Sequence, residues 1–319
     1  MKLGIVGSNF VSSWLCEAAR ELKVSLSAVY SRSAETGKAF AAKETIAAVY
    51  TDFDAFLSSG IDAVYLASPT YCHYPMAKAA LLHGLNVLCE KPIVWHKWQL
   101  DELLQLAKEK GCVLLEAMRP AHDPARLLVS QTLGRLGTIR HASFEFCQYS
   151  SRYDAFRQGE ILNAFTPEIS GAALLDIGIY PLYWATALFG APDTVSAFST
   201  FLENGFEGGG VILLGYADCQ VSVTYSKICS SVTESAIVGE SGAVTVDKLT
   251  SPARITYIPR KGSPEVLDYT AVSNNLVYEL RDFVTLCEQG GENPHLDEMR
   301  VLYETLERVY RASGLSLKF

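Results

Sequence analysis

Apolar residues form a short run at 3–6, recur at helical spacing over 11–22, and form a second β-type run at 25–30. The alternation continues with a helical pattern at 34–42, a short strand near Ala48 and a helix at 53–58. Next come a buried-strand run at 62–68, "DAVYLAS", a helix at 75–83 and a strand at 86–90, "NVLCE". A helix at 98–110 and a strand at 112–117, "CVLLEA", complete the series. Strands that alternate with helices predict βαβ units and a parallel, doubly wound sheet.

After a short helix at 124–133 the pattern changes. Longer strands follow one another directly at 138–150, 194–202, 210–216, 220–227, 233–239, 243–246 and 254–258, which predicts a mainly antiparallel sheet. Helices at 170–189, 275–289 and 296–312 are expected to cover one face of it. The last places Leu296, Met299, Leu302, Leu306 and Val309 on one side, and Gly314 is set to stop it. The expected organisation is an α/β Rossmann domain over 1–119 and an α+β domain for substrate binding and oligomerisation over 120–319. No internal repeat, low-complexity tract or long linker interrupts it.

Composition narrows the function. The net charge of −8, without a useful Lys/Arg cluster, argues against a nucleic-acid partner. Eight cysteines are scattered with no C-x-x-C pair, so they read as buried small hydrophobes in a reducing compartment and no metal centre is expected. The first apolar run is too brief for a signal peptide, and a cytoplasmic location is the expectation. The most membrane-like stretch, 171–190, carries Asp176, Gly178 and Pro181, each awkward in a lipid-facing helix. A buried helix is expected there, and no membrane partner.

Three stretches carry candidate chemistry. "GIVGSNFVSS" at 4–13 joins the first strand to the first helix, where a dinucleotide fingerprint G-x-G-x-x-G/A belongs. Gly7 can make the tight turn and Ser12 is small enough for helix packing, but Asn9 stands where the second glycine lets backbone approach pyrophosphate. Asn tolerates positive φ, and its amide could donate to phosphate. "YSRS" at 30–33 ends the second strand with Ser31 and Arg32, donors and a charge that suit the 2′-phosphate of NADP better than the ribose of NAD; a solvated Arg32, or one flat on adenine, is the plainer alternative. "EKP" at 90–92 leaves a buried strand at the carboxyl edge of the sheet, where ligands bind in such folds, so Lys91 faces a crevice.

Together with "ASPTYCH" at 67–73 and "SGAALLDIGIYPL" at 170–182, these residues resemble the glucose-fructose oxidoreductase and inositol dehydrogenase family, Gfo/Idh/MocA, over essentially the whole chain. The tyrosine of "DIGIYP" is similar to the branch containing glucose-fructose oxidoreductase and dimeric dihydrodiol dehydrogenase. The resemblance implies NADP, or alternatively NAD, bound at Gly7, Asn9, Phe10, Ser31, Arg32, Ser68, Pro69, Thr70, His73 and Glu90. It implies catalysis by Lys91, Asp176 and Tyr180, and a homodimer or homotetramer formed through the C-terminal sheet. Asn9 and Thr70 depart from the family's usual glycine and asparagine, and Ser170 from a common glycine.

Asp176 and Tyr180 lie one helical turn apart and are expected on one face. A buried aspartate needs a partner, either as a helix cap or with a nearby arginine, or else a task. Tyr180 is a core aromatic or a general acid/base. His73 lines the cofactor crevice or caps the following helix, and Arg119 and His122 face substrate or form a structural salt bridge. Tyr149, Arg152, Tyr153 and Arg157 lie in a polar loop that either shapes a pocket or is solvated. The expected function is an NAD(P)-dependent oxidoreductase that interconverts a secondary alcohol and a carbonyl on a sugar, polyol or dihydrodiol. Two alternatives stay open: a non-catalytic nucleotide or sugar sensor with a degenerate phosphate loop, and a redox-neutral enzyme that holds its cofactor tightly.

Overall fold

Ala63 to Leu66 expose no side chain to solvent, because this strand lies near the centre of a six-stranded parallel sheet covered on both faces. The computed structural model describes residues 1–290 and 293–317. The chain begins β1 (Lys2–Val6), α1 (Phe10–Glu21), β2 (Ser25–Tyr30), α2 (Ala34–Glu44), β3 (Ala48–Tyr50) and α3 (Phe53–Leu57). It continues β4 (Ala63–Leu66), α4 (His73–Leu82), β5 (Asn86–Glu90), α5 (Lys97–Lys110), β6 (Leu114–Ala117) and α6 (Arg119–His122). The strand order is β3-β2-β1-β4-β5-β6, all pairs parallel, the doubly wound arrangement expected. Its switch point falls between β1 and β4.

Then follow α7 (Pro124–Thr132), β7 (Ile139–Cys147), α8 (Tyr153–Arg157), α9 (Pro167–Ser170) and α10 (Ile179–Phe189). Strands β8 (Thr194–Phe201), β9 (Glu207–Gly215), β10 (Gln220–Ser226), β11 (Ser235–Gly239), β12 (Gly242–Val246), β13 (Ile255–Pro259) and β14 (Glu265–Val266) come next. Helices α11 (Leu276–Gln289) and α12 (Leu296–Ser313) close the chain. The strands form an eight-stranded sheet ordered β14-β13-β12-β11-β7-β10-β9-β8. Every neighbouring pair is antiparallel except β7 with β10, whose long connection supplies the crossover that a parallel pair needs. Ala142, Phe144, Ile212, Leu214, Val221 and Val223 point inward, and α10 and α12 pack against strands of this sheet. Phe198, Val211, Leu213, Val238 and Ile258 remain exposed.

Two helical expectations change. The apolar run at 170–189 is not one helix: α9 is followed by a π-turn, Leu174–Gly178, that leads into α10. Gly178 is required there because a Cβ would lie 2.7 Å from the Tyr225 ring, and Pro181, which lacks an N–H, follows on the widened turn. Pro167–Phe189 is long and apolar enough to cross a membrane, yet 72% of its most apolar window is buried inside the protein. The second change is α11, which does not cover the antiparallel sheet. Leu276, Val277, Leu280 and Phe283 join Leu15, Tyr65, Leu88 and Ala117 in the core of the Rossmann unit, so the segment carrying α11 belongs with residues 1–122. Helical periodicity reveals a buried face but not which sheet it meets.

Candidate active site

In the Rossmann unit β1 ends at Val6 and the chain turns at Gly7 with φ of +99°. A Cβ on Gly7 would sit 2.6 Å from the Ala67 carbonyl oxygen, so both conformation and space demand glycine. Asn9 has φ of −99°, ordinary extended backbone rather than the positive φ that its position suggests. It caps α1: Oδ1 accepts from the Ser12 N–H at 3.0 Å, and Nδ2 donates to the Ala67 carbonyl at 2.7 Å. The side chain thus joins the loop after β1 to the loop after β4. Ser12 is buried, as its packing role requires, and Phe10 stands exposed, edge-on to Trp14 at 5.3 Å.

At the end of β2 the structure separates two candidates. Ser31 is buried, its hydroxyl shares a 2.9 Å hydrogen bond with Thr36 Oγ1, and its N–H donates to the Tyr50 carbonyl. These bonds hold the end of β2 against β3 and α2. Arg32 is exposed. Ser33 caps α2 through the Thr36 N–H.

The loops after β4 and β5 are fastened to each other. His73 is 1% exposed, with Nδ1 2.8 Å from the Pro92 carbonyl and Nε2 2.8 Å from the Ser68 carbonyl. A neutral imidazole has one N–H and can donate to one of them. Burial holds its pKa below the usual histidine value against the opposing pull of the two carbonyls. The ring is a buried brace between the two loops. Pro69 is exposed, and Thr70 opens a 3-10 turn, Thr70–Cys72, ahead of α4.

Lys91 follows β5 and is joined to Pro92 by a cis peptide bond. The backbone beyond is pinned: the Ile93 N–H donates to Glu116 Oε1 at 2.9 Å, and the Trp95 and His96 N–H groups both donate to Gln99 Oε1 at 3.0 Å. Glu90 accepts from the fully buried Tyr65 hydroxyl at 2.5 Å. Nearby Glu279, on α11, is wholly buried with neither carboxyl oxygen hydrogen-bonded. Burial, and then the charge of Glu90, push its pKa well above the carboxylate range. Arg119 lies over the Trp14 ring at 5.4 Å. His122 takes the structural option, with Nδ1 2.7 Å from Asp282 Oδ2 on α11.

In the second unit the π-turn presents Asp176, whose side chain is 42% exposed and whose Oδ2 lies 2.8 Å from Lys227 Nζ. The partner is a lysine rather than the cap or arginine weighed from sequence. Tyr180 is 6% exposed and meets Phe146 edge-on at 5.9 Å. Beneath the turn Glu207 accepts from the Leu174 N–H at 2.9 Å, the Tyr225 hydroxyl at 2.6 Å and the Ser199 hydroxyl at 3.1 Å. Burial nevertheless raises its pKa. In the polar loop the Tyr149 hydroxyl donates to Asp154 at 2.6 Å, and Arg157 lies 4.0 Å from the same carboxylate.

The Rossmann unit fits a dinucleotide. Gly7 makes a tight turn that no side chain could occupy, α1 begins beside it with its positive dipole end, and the Ser68 hydroxyl is buried without a protein partner. Residues 1–118 match the family model "Oxidoreductase family, NAD-binding Rossmann fold", and residues 130–245 match "GFO/IDH/MocA C-terminal domain". The chain belongs to the GFO/IDH/MocA oxidoreductase family. It is 38% identical over 292 residues to the scyllo-inositol 2-dehydrogenase (NADP(+)) of Bacillus subtilis (strain 168), covering 91% of this chain and 89% of that one. It is 27% identical over 333 residues to mouse trans-1,2-dihydrobenzene-1,2-diol dehydrogenase, covering 99% and 98%. A 3-ketoreductase from Actinomadura kijaniata, solved with NADP and TDP-benzene, shares the fold at a TM-score of 0.86 and 22% identity, covering 98% of each chain.

Sequence reasoning passed over Lys227, Glu207, Glu116 and Glu279. Lys227 ends a strand, where lysine is usually solvated. Glu279 did leave a signal, a carboxyl three residues after Leu276 and one before Leu280 on the buried side of its helix.

Proposed function

We propose that this family member uses NADP to interconvert a secondary alcohol and a carbonyl on a polyol or sugar, with a cyclitol as the favoured substrate class. The reading rests on one observation above the rest: Lys91 stands at the carboxyl edge of the sheet on a loop whose backbone is held by His73, Glu116 and Gln99. A loop that only closed a surface would not need such bracing. The Bacillus relative supports both the cofactor and the cyclitol. Gly7, Asn9, Phe10, Ser68, Pro69 and Thr70 would form the pyrophosphate and nicotinamide side of the cofactor site, with Arg32 at the adenosine end.

When bound, the nicotinamide supplies or accepts the hydride. Tyr180 exchanges the proton of the reacting hydroxyl at its Oη, Lys91 polarises that oxygen, and Asp176 accepts a hydrogen bond from a substrate hydroxyl. The sensor alternative drew on Asn9 as a sign of decay. As a helix cap that also bridges to Ala67, Asn9 completes the loop and no longer favours that reading.

The assembly reading is a homodimer or homotetramer formed through the open face of the eight-stranded sheet. Phe198 is 71% exposed opposite Val211, and Leu213, Val238 and Ile258 extend the apolar surface. Phe198→Glu should shift sedimentation towards the monomer. A cytoplasmic location agrees with eight free cysteines, of which Cys16, Cys147 and Cys287 have thiol pKa values pushed up to about 12, chiefly by burial.

The direct test is to mix the protein with NADP+ and a panel of cyclitols, aldoses and dihydrodiols and follow NADPH absorbance. Sustained reduction with scyllo-inositol or a close analogue supports the reading. Tight NADP binding with no turnover on any member of the panel would overturn it.

A further inference from the structure

Lys227 directly follows β10 and is 4% exposed. Its ammonium donates to Asp176 Oδ2 at 2.8 Å and to the Ala164 carbonyl at 2.8 Å, and it lies over the rings of Phe165 and Phe206, 5.0 and 5.3 Å from their centroids. The backbone of the same residue is also held. Its N–H donates to the Gly208 carbonyl at 2.9 Å, and its carbonyl accepts from the Ser150 N–H at 2.9 Å. One residue thus ties together β9, the loop leaving β7, the short turn at Asn163–Phe165 and the π-turn that carries Asp176.

The pair is unequal. The lysine side chain is 5% exposed and the aspartate 42%. An apolar side chain packed against Phe165 and Phe206 would avoid the desolvation of an ammonium, so stability alone is a poor reason for a lysine here. What the lysine provides is a fixed cation behind a presented carboxylate, which restricts its rotamer. A π-turn beneath it is a feature frequent at functional sites.

We propose that Lys227 is a positioning residue, which holds the Asp176 carboxylate as the hydrogen-bond acceptor for a substrate hydroxyl. This rests on the reading above that Asp176 contacts substrate, and it adds a residue from outside that set.

The test compares Lys227→Met, Lys227→Arg, Asp176→Asn and the Met/Asn double variant in the full-length enzyme, with NADP+ and the polyol oxidised fastest in the panel. Lys227→Met should raise KM for the polyol by about ten-fold, leave the NADP+ Kd within about two-fold, and make the further change Asp176→Asn nearly silent. Lys227→Arg, which keeps the charge, should restore KM to within about three-fold of wild type. Should Lys227→Met fail to fold, Lys227→Gln makes the same comparison, because it removes the charge and leaves a polar donor on a shorter side chain. A KM unchanged in the Met or Gln variant while Asp176→Asn is impaired overturns this inference and spares the reading of Asp176; so does full additivity of the two changes. An Asp176→Asn variant with wild-type KM and kcat overturns the reading of Asp176 and this inference with it.

Discussion

His73 Nδ1 lies 2.8 Å from the Pro92 carbonyl oxygen, so a residue at the start of α4 fixes the chain immediately after Lys91. His73→Leu removes this contact and the one to Ser68, and leaves one of the two buried carbonyls without the imidazole N–H that it accepted. It should cost about 2 kcal/mol or more of stability, seen in denaturant unfolding, and lower kcat without a matching loss of NADP affinity.

The same ring sets a pH dependence. Burial depresses its folded-state pKa below the ordinary 6.5, so the unfolded chain binds protons more readily as pH falls through that value. Stability from this group is therefore fully present above 6.5 and declines below it, towards the depressed folded pKa. Thermal midpoints measured at about pH 7.5 and about pH 5.5 should fall more steeply in wild type than in His73→Leu. Equal slopes would remove histidine burial as the cause.

Asn9→Gly restores the family's usual glycine but deletes a helix cap and the bridge to Ala67. A loss of about 1 kcal/mol in stability is expected, with NADP binding unchanged or a few-fold weaker by calorimetry. Binding five-fold tighter would show that the Asn9 side chain obstructs the pyrophosphate after all.

Much of the first unit was legible in its sequence because the strands are continuous apolar runs and Gly7 sits at a turn that tolerates no side chain. The role of Asn9 was not legible, since it depends on Ala67 being a neighbour, and that neighbour exists only once β1 and β4 are paired. Ser31 illustrates the same limit: a hydroxyl at a strand end looks available until Thr36 returns beside it on α2. Lys227 and Asp176 are far apart in the chain, and nothing in a strand-end lysine announces that two phenylalanines enclose it. The destination of α11 was hidden for a related reason. Its apolar stripe is equally suited to either sheet.

Cofactor choice turns on Arg32, the exposed cation at the end of β2. Arg32→Ala should weaken NADP on the order of ten-fold and NAD by much less, since the exposed guanidinium matters chiefly to the 2′-phosphate. Equal losses for the two cofactors in Arg32→Ala would show that the guanidinium does not read the phosphate.

The account centres on Lys91 and Tyr180 as the groups that manage the proton while hydride moves. Single-turnover reduction of NADP+ by the polyol, measured in Lys91→Ala and Tyr180→Phe at saturating cofactor, tests this most directly. The account predicts rates lower by roughly 10² or more in each variant, with NADP Kd within a few-fold of wild type. Near wild-type single-turnover rates in both would contradict it.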